Sequence, residues 1–271
     1  MSIMQTIQSA QPALENDPLR IADRQFTSRF LLGTGKFKNK KDLSAAIAAS
    51  RTQIVTVALR RIDLERHEEN ILEYIPKDVT LLVNTSGARN AQEAVRLARL
   101  GRESGCGNWV KVEVINDSKY LLPDNAQTVK ATEILAAEGF VVLPYMYPEL
   151  YTARALEKAG AAAVMPLGSL IGSRQGLRTR EFINILINEI DVPIIVDAGL
   201  GAPSQATEAM ELGAAAVLVN TAIANAAHPA TLAKAFALAV EAGRLAYMSS
   251  PAAASDSANA SSPLTGFLYE Q

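Results

Sequence analysis

The chain has 271 residues, 49% hydrophobic and 20% charged, enough to bury a sizeable core as one large α/β domain or two small ones. A net charge of −2 gives no electrostatic footprint for nucleic acid, and a lone cysteine, Cys106, excludes an internal disulfide or a cysteine metal cluster. The only histidines, His67 and His228, lie far apart, which argues against a histidine metal site.

Residues 1–18 are polar and aperiodic and read as a flexible arm. Acidic residues precede any long apolar run there, so no secretory signal is expected. The longest uncharged run, Leu212 to Ala233, is interrupted by Asn220, Asn225, His228 and Pro229 and is too polar for a membrane span. A soluble, cytoplasmic protein is the expectation.

From residue 19 to 248 a short apolar run, a turn and an amphipathic run recur. The apolar runs are Phe30–Leu32, Ile54–Ala58, Leu81–Val83, Trp109–Ile115, Phe140–Tyr145, Ala162–Leu167, Pro193–Asp197 and Ala216–Asn220. They are rich in Val, Ile and Leu and bounded by Gly, Pro, Asn or Ser, as buried parallel strands are. Between them, sets such as Ala91, Ala94, Val95 and Ala98, or Leu232, Ala235, Phe236, Ala239 and Val240, recur at helical steps. The four lysines between Lys36 and Lys41 read as a solvated loop. From Ser249 the run SSPAAASDSANASSP is small, polar and structureless by composition, so 249–271 reads as a flexible tail. Eight strands alternating with helices over this length predict a single-domain (β/α)₈ TIM barrel. An open doubly wound sheet fits less well, because Gly33-Thr34-Gly35 is followed by Lys36-Phe37-Lys38 and not by a third glycine.

The segment around Trp109 carries the most chemistry. Strand side chains alternate, so Val110, Val112 and Val114 share one face and Trp109, Lys111 and Glu113 the other. The valines suit the helix-facing outside, which sends Lys111 and Glu113 inward, where an unpaired charge is costly. A structural ion pair would satisfy them. So would a reactive amine: a desolvated lysine gives up its proton more readily and can condense with a carbonyl as a Schiff base, with Glu113 placed to move protons. Asp197 falls at the end of the seventh strand, a catalytic position in barrels, although helix caps occupy such places too. After strands six to eight come three small-residue loops: Gly168 to Gly176, Ala198-Gly199-Leu200-Gly201 and Asn220-Thr221-Ala222. Barrels often hold phosphate in such loops. Cys106 reads as incidental, His67 as solvated and Trp109 as packing in the lower barrel, while the Arg60-Arg61 pair after the second strand reads either as facing the barrel mouth or as surface charge.

From Leu19 to Tyr247 the sequence resembles bacterial thiazole synthases, in stretches such as SRFLLGTGKFKNK, LLVNTSGARNAQEAVRLARL, GNWVKVEVINDSKYLLPDN, AAVMPLGSLIGSRQGL, VPIIVDAGLGAPSQA and MELGAAAVLVNTAIA. The resemblance implies that Lys111 forms a Schiff base with 1-deoxy-D-xylulose 5-phosphate and that Glu113 and Asp197 are acid/base groups. It implies that Gly172, Ala198, Gly199, Asn220 and Thr221 contact the substrate and its phosphate. It further implies sulfur delivered as a thiocarboxylate on a small ubiquitin-like sulfur carrier protein, dehydroglycine as third reactant, a thiazole phosphate carboxylate product, self-association, and no metal or redox cofactor.

The chain departs from the family pattern at Leu170 and Arg174, where proline and glycine are usual. It also departs at Met146 to Tyr151, and at Ala202, where a threonine N-cap is usual. Two other readings remain open at this level. One is a class I Schiff-base aldolase acting on a sugar phosphate, and the other a catalytically silent phosphate-binding barrel.

Overall fold

The computed structural model describes residues 17–59 and 70–250. An antiparallel hairpin, β1 (Leu19–Ile21) and β2 (Arg24–Phe26), precedes the barrel. The barrel strands are β3 (Phe30–Gly33), β4 (Ile54–Ala58), β5 (Thr80–Asn84), β6 (Trp109–Val112), β7 (Val141–Met146), β8 (Met165–Pro166), β9 (Ile195–Asp197) and β10 (Ala216–Val219). All pair in parallel in the order β8-β7-β6-β5-β4-β3-β10-β9. Parallel bridges Val164–Ile194 and Leu167–Asp197 join the two ends of that order and bring the sheet round on itself. The eight expected strands are the eight observed, in one (β/α)₈ barrel.

Helices α1 (Lys40–Ser50), α2 (Ala91–Glu103), α3 (Asn125–Ala137), α4 (Leu150–Lys158), α5 (Arg180–Glu189), α6 (Pro203–Glu211), α7 (Thr221–Ala224) and α8 (Pro229–Met248) follow the strands, with a 3₁₀ turn at Ile71–Tyr74 after β4. Their starts are written locally. The side chains of Asn39, Asn90 and Asp124 accept from the backbone N–H three residues on, at 2.8, 2.9 and 3.1 Å. The lysine run therefore divides: Lys40 and Lys41 open α1, and the expected loop ends at its cap, Asn39. Ala202, which has no capping group, is served from the other side. The Gln205 side chain accepts from Gly201 and Ala202 N–H at 2.7 and 3.1 Å, and Pro203 at the first helical position has no N–H to satisfy.

Strand alternation sorts the side chains into two cores. Val110, Val112 and Val142 face outward against Ala91, Ala94, Val95 and Ala98 of α2 and Ala131 and Leu135 of α3. Leu31, Ile54, Leu82, Trp109, Leu143, Met165, Ile195 and Leu218, one from each strand, fill the barrel interior. The N-terminal hairpin, which the hydrophobic pattern did not announce, plugs its lower end with Leu19, Ile21 and Phe26. Phe26 meets Trp109 edge to face at 5.6 Å. Asp17 at the head of the hairpin pairs with Arg29 at 2.9 Å and with Arg244 of α8 at 2.6 and 2.9 Å. Apart from residues 17–18 and 249–250, the expected arm and tail lie outside the described residues, as do Arg60-Arg61 and His67. No helix among the described residues is long and apolar enough to cross a membrane.

Candidate active site

Above the apolar interior layer, at the C-terminal ends of the strands, the inward positions turn polar: Thr56, Asn84, Lys111, Glu113, Tyr145 and Asp197. The cause is sequence parity. Each but Glu113 is one alternation step beyond an apolar interior residue of its own strand, as Asn84 is beyond Leu82 and Tyr145 beyond Leu143, while Glu113 is one step beyond Lys111, just past the end of β6. They floor a cavity of about 820 Å³ that also contacts Gly172, Ala198, Gly199, Asn220 and Thr221. Fold closure thus brings together all eight residues singled out from the sequence.

Lys111, Glu113 and Asp197 are 5%, 8% and 3% exposed, so three charges share one buried layer. The Lys111 ammonium is ion-paired with Asp197 across the barrel, and its Nζ lies 3.9 Å from Glu113 Oε2. Glu113 is held in place from both ends. Its carboxylate accepts from Asn84 Nδ2 at 3.1 Å, and its backbone N–H donates to Thr85 Oγ1 at 2.8 Å while its C=O accepts from that hydroxyl at 3.0 Å. The β6 ladder has ended at Val112, so Thr85 supplies the hydrogen bonds that a neighbouring strand would otherwise give.

Tyr145 lies beneath the amine, with Lys111 Nζ 5.2 Å from its ring centroid. It is 1% exposed, and its hydroxyl has no hydrogen-bond partner among the described residues. Burial, with the nearby carboxylates of Asp197 and Glu113, pushes the phenol well above its ordinary range. It therefore stays a neutral donor.

The other wall is built from tight backbone. Ala198 and Gly199 take consecutive left-handed conformations (φ +62° and +82°), and Gly172 another (φ +75°). A Cβ on Gly199 would stand 1.9 Å from Ser169 Oγ, so only glycine fits there. Gly33 and Gly35 are small for a related reason. A Cβ on either would meet the Asn220 side chain at 2.4 or 2.7 Å. Asn220 is thereby seated with a buried Oδ1 that has no partner among the described residues.

Lys36, assigned from composition to a solvated loop, is exposed yet lines the cavity, its Nζ 3.6 Å from where a Gly172 Cβ would be. Arg174 lines it as well. Asn84, Tyr145, Lys36 and Arg89 are cavity residues that the sequence reading passed over. Strand parity could have found the first two. No local signal marks the others, which arrive on loops. Trp109 packs in the lower layer as expected, and Cys106 is buried, its thiol pushed up by desolvation.

The family described as "Thiazole biosynthesis protein ThiG" matches residues 20–263. Thiazole synthase of Pelotomaculum thermopropionicum is 67% identical over 94% of this chain and 99% of its own length. That of Desulforamulus reducens is 61% identical over 93% and 98%. Among solved structures, a chain of the Amycolatopsis orientalis BexX/CysO complex superposes with a TM-score of 0.80 at 35% identity, covering 89% of this chain and 100% of that one. With a barrel, a buried lysine between two carboxylates and this degree of likeness over nearly its whole length, the chain belongs to the thiazole synthase family of thiamine biosynthesis.

Proposed function

We propose that the Lys111 amine forms a Schiff base with the ketone of 1-deoxy-D-xylulose 5-phosphate, and that Glu113 and Asp197 move the protons that follow. The observation that carries this reading is the buried Lys111 between two carboxylates on the floor of the cavity. The amine adds to the ketone carbon, and loss of water leaves the imine. One carboxylate then takes a proton from the carbon beside the imine, and a proton returns at the former ketone carbon. The carbonyl moves one carbon along and an aminoketone results. Each well-placed acid/base group contributes roughly 10²–10⁴ in rate.

Gly172, Ala198, Gly199, Asn220 and Thr221 receive the substrate and its phosphate, away from the reacting carbons. Binding energy gained there orients those carbons over Lys111. Sulfur enters as the thiocarboxylate of a small ubiquitin-like carrier protein, and dehydroglycine supplies the remaining ring atoms. No metal or redox cofactor takes part in this scheme. The carrier assignment is supported by the likeness to a chain of the BexX/CysO complex. The barrel works in a homo-oligomer.

Borohydride trapping with the sugar phosphate, followed by peptide mapping, tests the first step. A reduced adduct on the Lys111 peptide is expected, absent in Lys111→Arg, which keeps the charge but cannot form the imine. No adduct under conditions where the sugar phosphate binds overturns the Schiff-base mechanism.

A further inference from the structure

The product of the proposed reaction is anionic at two places, a phosphate and a ring carboxylate, and the cavity has two walls. The loops after β8, β9 and β10, with Lys36 after β3, form one of them. In the ring of eight strands β5 stands four places from β9 in either direction, so the loop after β5 faces the loop of Ala198 and Gly199 across the mouth. Lys111, on β6, is the neighbour of β5. A sugar phosphate with its phosphate on the first wall and its ketone at Lys111 leaves the β5 side for the second reactant.

That side is rich in donors. Ser86, Gly87 and Arg89 line the cavity there. The turn that presents them is set by Ser86 N–H donating to Asn84 Oδ1 at 2.9 Å and Ala88 N–H to Thr85 O at 3.0 Å. Gly87 has φ +102°, and a Cβ on it would meet nothing within 4 Å, so its backbone borders open space. Among the described residues the Ser86 hydroxyl, the Gly87 N–H and the Arg89 guanidinium have no partner. The nearby anions are already engaged. Asp117 accepts from the N–H groups of Lys119 and Tyr120 at 3.0 and 2.6 Å, and Glu113 from Asn84.

We propose that the Ser86–Arg89 loop is a carboxylate subsite, with Arg89 its cation, which receives the carboxylate of the two-carbon imino acid and retains it as the ring carboxylate of the product. This rests on the function proposed above. Arg89 suits the task because its planar fork matches a carboxylate in two hydrogen bonds.

Calorimetric titration of the full-length protein with two compounds tests it: a thiazole phosphate bearing the ring carboxylate, and the same compound without it. Wild type is expected to bind the carboxylated compound about tenfold tighter, the size of one charge-assisted contact. Arg89→Met should bind both within about twofold of each other, at the wild-type affinity for the compound lacking the carboxylate, and Arg89→Lys should recover part of the preference. A preference that survives intact in Arg89→Met overturns the subsite while leaving the Schiff-base reading in place. If wild type binds neither compound and gives no Lys111 adduct, the function itself is wrong and the subsite falls with it.

Discussion

Lys111 and Asp197 stand on β6 and β9, with β7 and β8 between them in the sheet, yet their charges meet at the centre of the barrel. Removing one partner of such a buried pair typically costs about 3–5 kcal/mol, because the other charge is left unpaired in a poor solvent. Asp197→Asn is therefore expected to shift the denaturant midpoint downward by an equivalent amount, moderated by Glu113, and to slow adduct formation at Lys111 by roughly 10²–10⁴. Unfolding curves and trapping rates on the same preparation check both effects. Wild-type stability in the variant would show that the pair carries no such energy.

The Tyr145 hydroxyl is buried with no partner among the described residues. An unsatisfied buried polar group costs roughly 1–3 kcal/mol, so Tyr145→Phe is expected to fold at least as stably as wild type. A melting temperature several degrees lower would reveal a hydrogen bond to that hydroxyl. The raised phenol has a definite linkage. Its protonated form is favoured in the folded state, so this contribution is complete below the ordinary value of 10.0 and is lost as pH rises above it. Ultraviolet difference titration of wild type against Tyr145→Phe should show no Tyr145 phenolate before alkaline unfolding.

Gly33 takes no left-handed conformation; its constraint is space. A Cβ would lie 2.4 Å from the Asn220 Cβ and 2.6 Å from its Cγ. Gly33→Ala should therefore displace Asn220 and raise the KM for the sugar phosphate at least tenfold, with a smaller effect on kcat, because the change lies on the wall away from Lys111 (a factor of ten being about 1.4 kcal/mol). Steady-state kinetics decide the matter, and an unchanged KM would detach Asn220 from substrate binding.

Arg174 occupies left-handed backbone at φ +58°, a conformation that costs a non-glycine residue about 1–2 kcal/mol. Glycine adopts this conformation without that penalty, which agrees with the glycine that the resemblance to thiazole synthases leads one to expect here. Arg174→Gly should raise or preserve thermal stability while removing a cation from the phosphate-side wall. Weaker sugar-phosphate binding together with an unchanged or higher melting temperature is the expected pair of results. A lower melting temperature would count against the strain.

Asp17 ties the hairpin to the barrel through Arg29 and Arg244. The hydrogen bond from Arg244 is the largest cause holding its carboxyl below the ordinary 3.8. A depressed folded value means that the stabilisation is complete above 3.8 and is lost as pH falls through the folded value. Asp17→Asn should cost roughly 1–3 kcal/mol near neutrality. The gap from wild type should close only in acid, below about pH 4. Urea titrations at a series of pH values test this, and a gap independent of pH would assign the loss to packing.

Periodicity by itself determined the eight strands and the barrel, because a parallel strand covered on both faces must be an apolar run of nearly fixed length. Parity along β6 likewise determined that Lys111 and Glu113 point inward, since three β-branched residues on the alternate positions could only be the helix-facing side. The N-terminal hairpin escaped, its six strand residues, Leu19–Ile21 and Arg24–Phe26, being too few to show a period; it became recognisable only when Phe26 met Trp109. Lys36 and Arg89 look like ordinary surface charge along the chain, and only closure of the barrel sets them on its mouth. The pairing of Lys111 with Asp197, 86 residues apart in sequence (197 less 111), was likewise decided by the tertiary structure. Local sequence sets which way a side chain points, whereas which charges it faces depends on strands far apart in the chain and near in the ring.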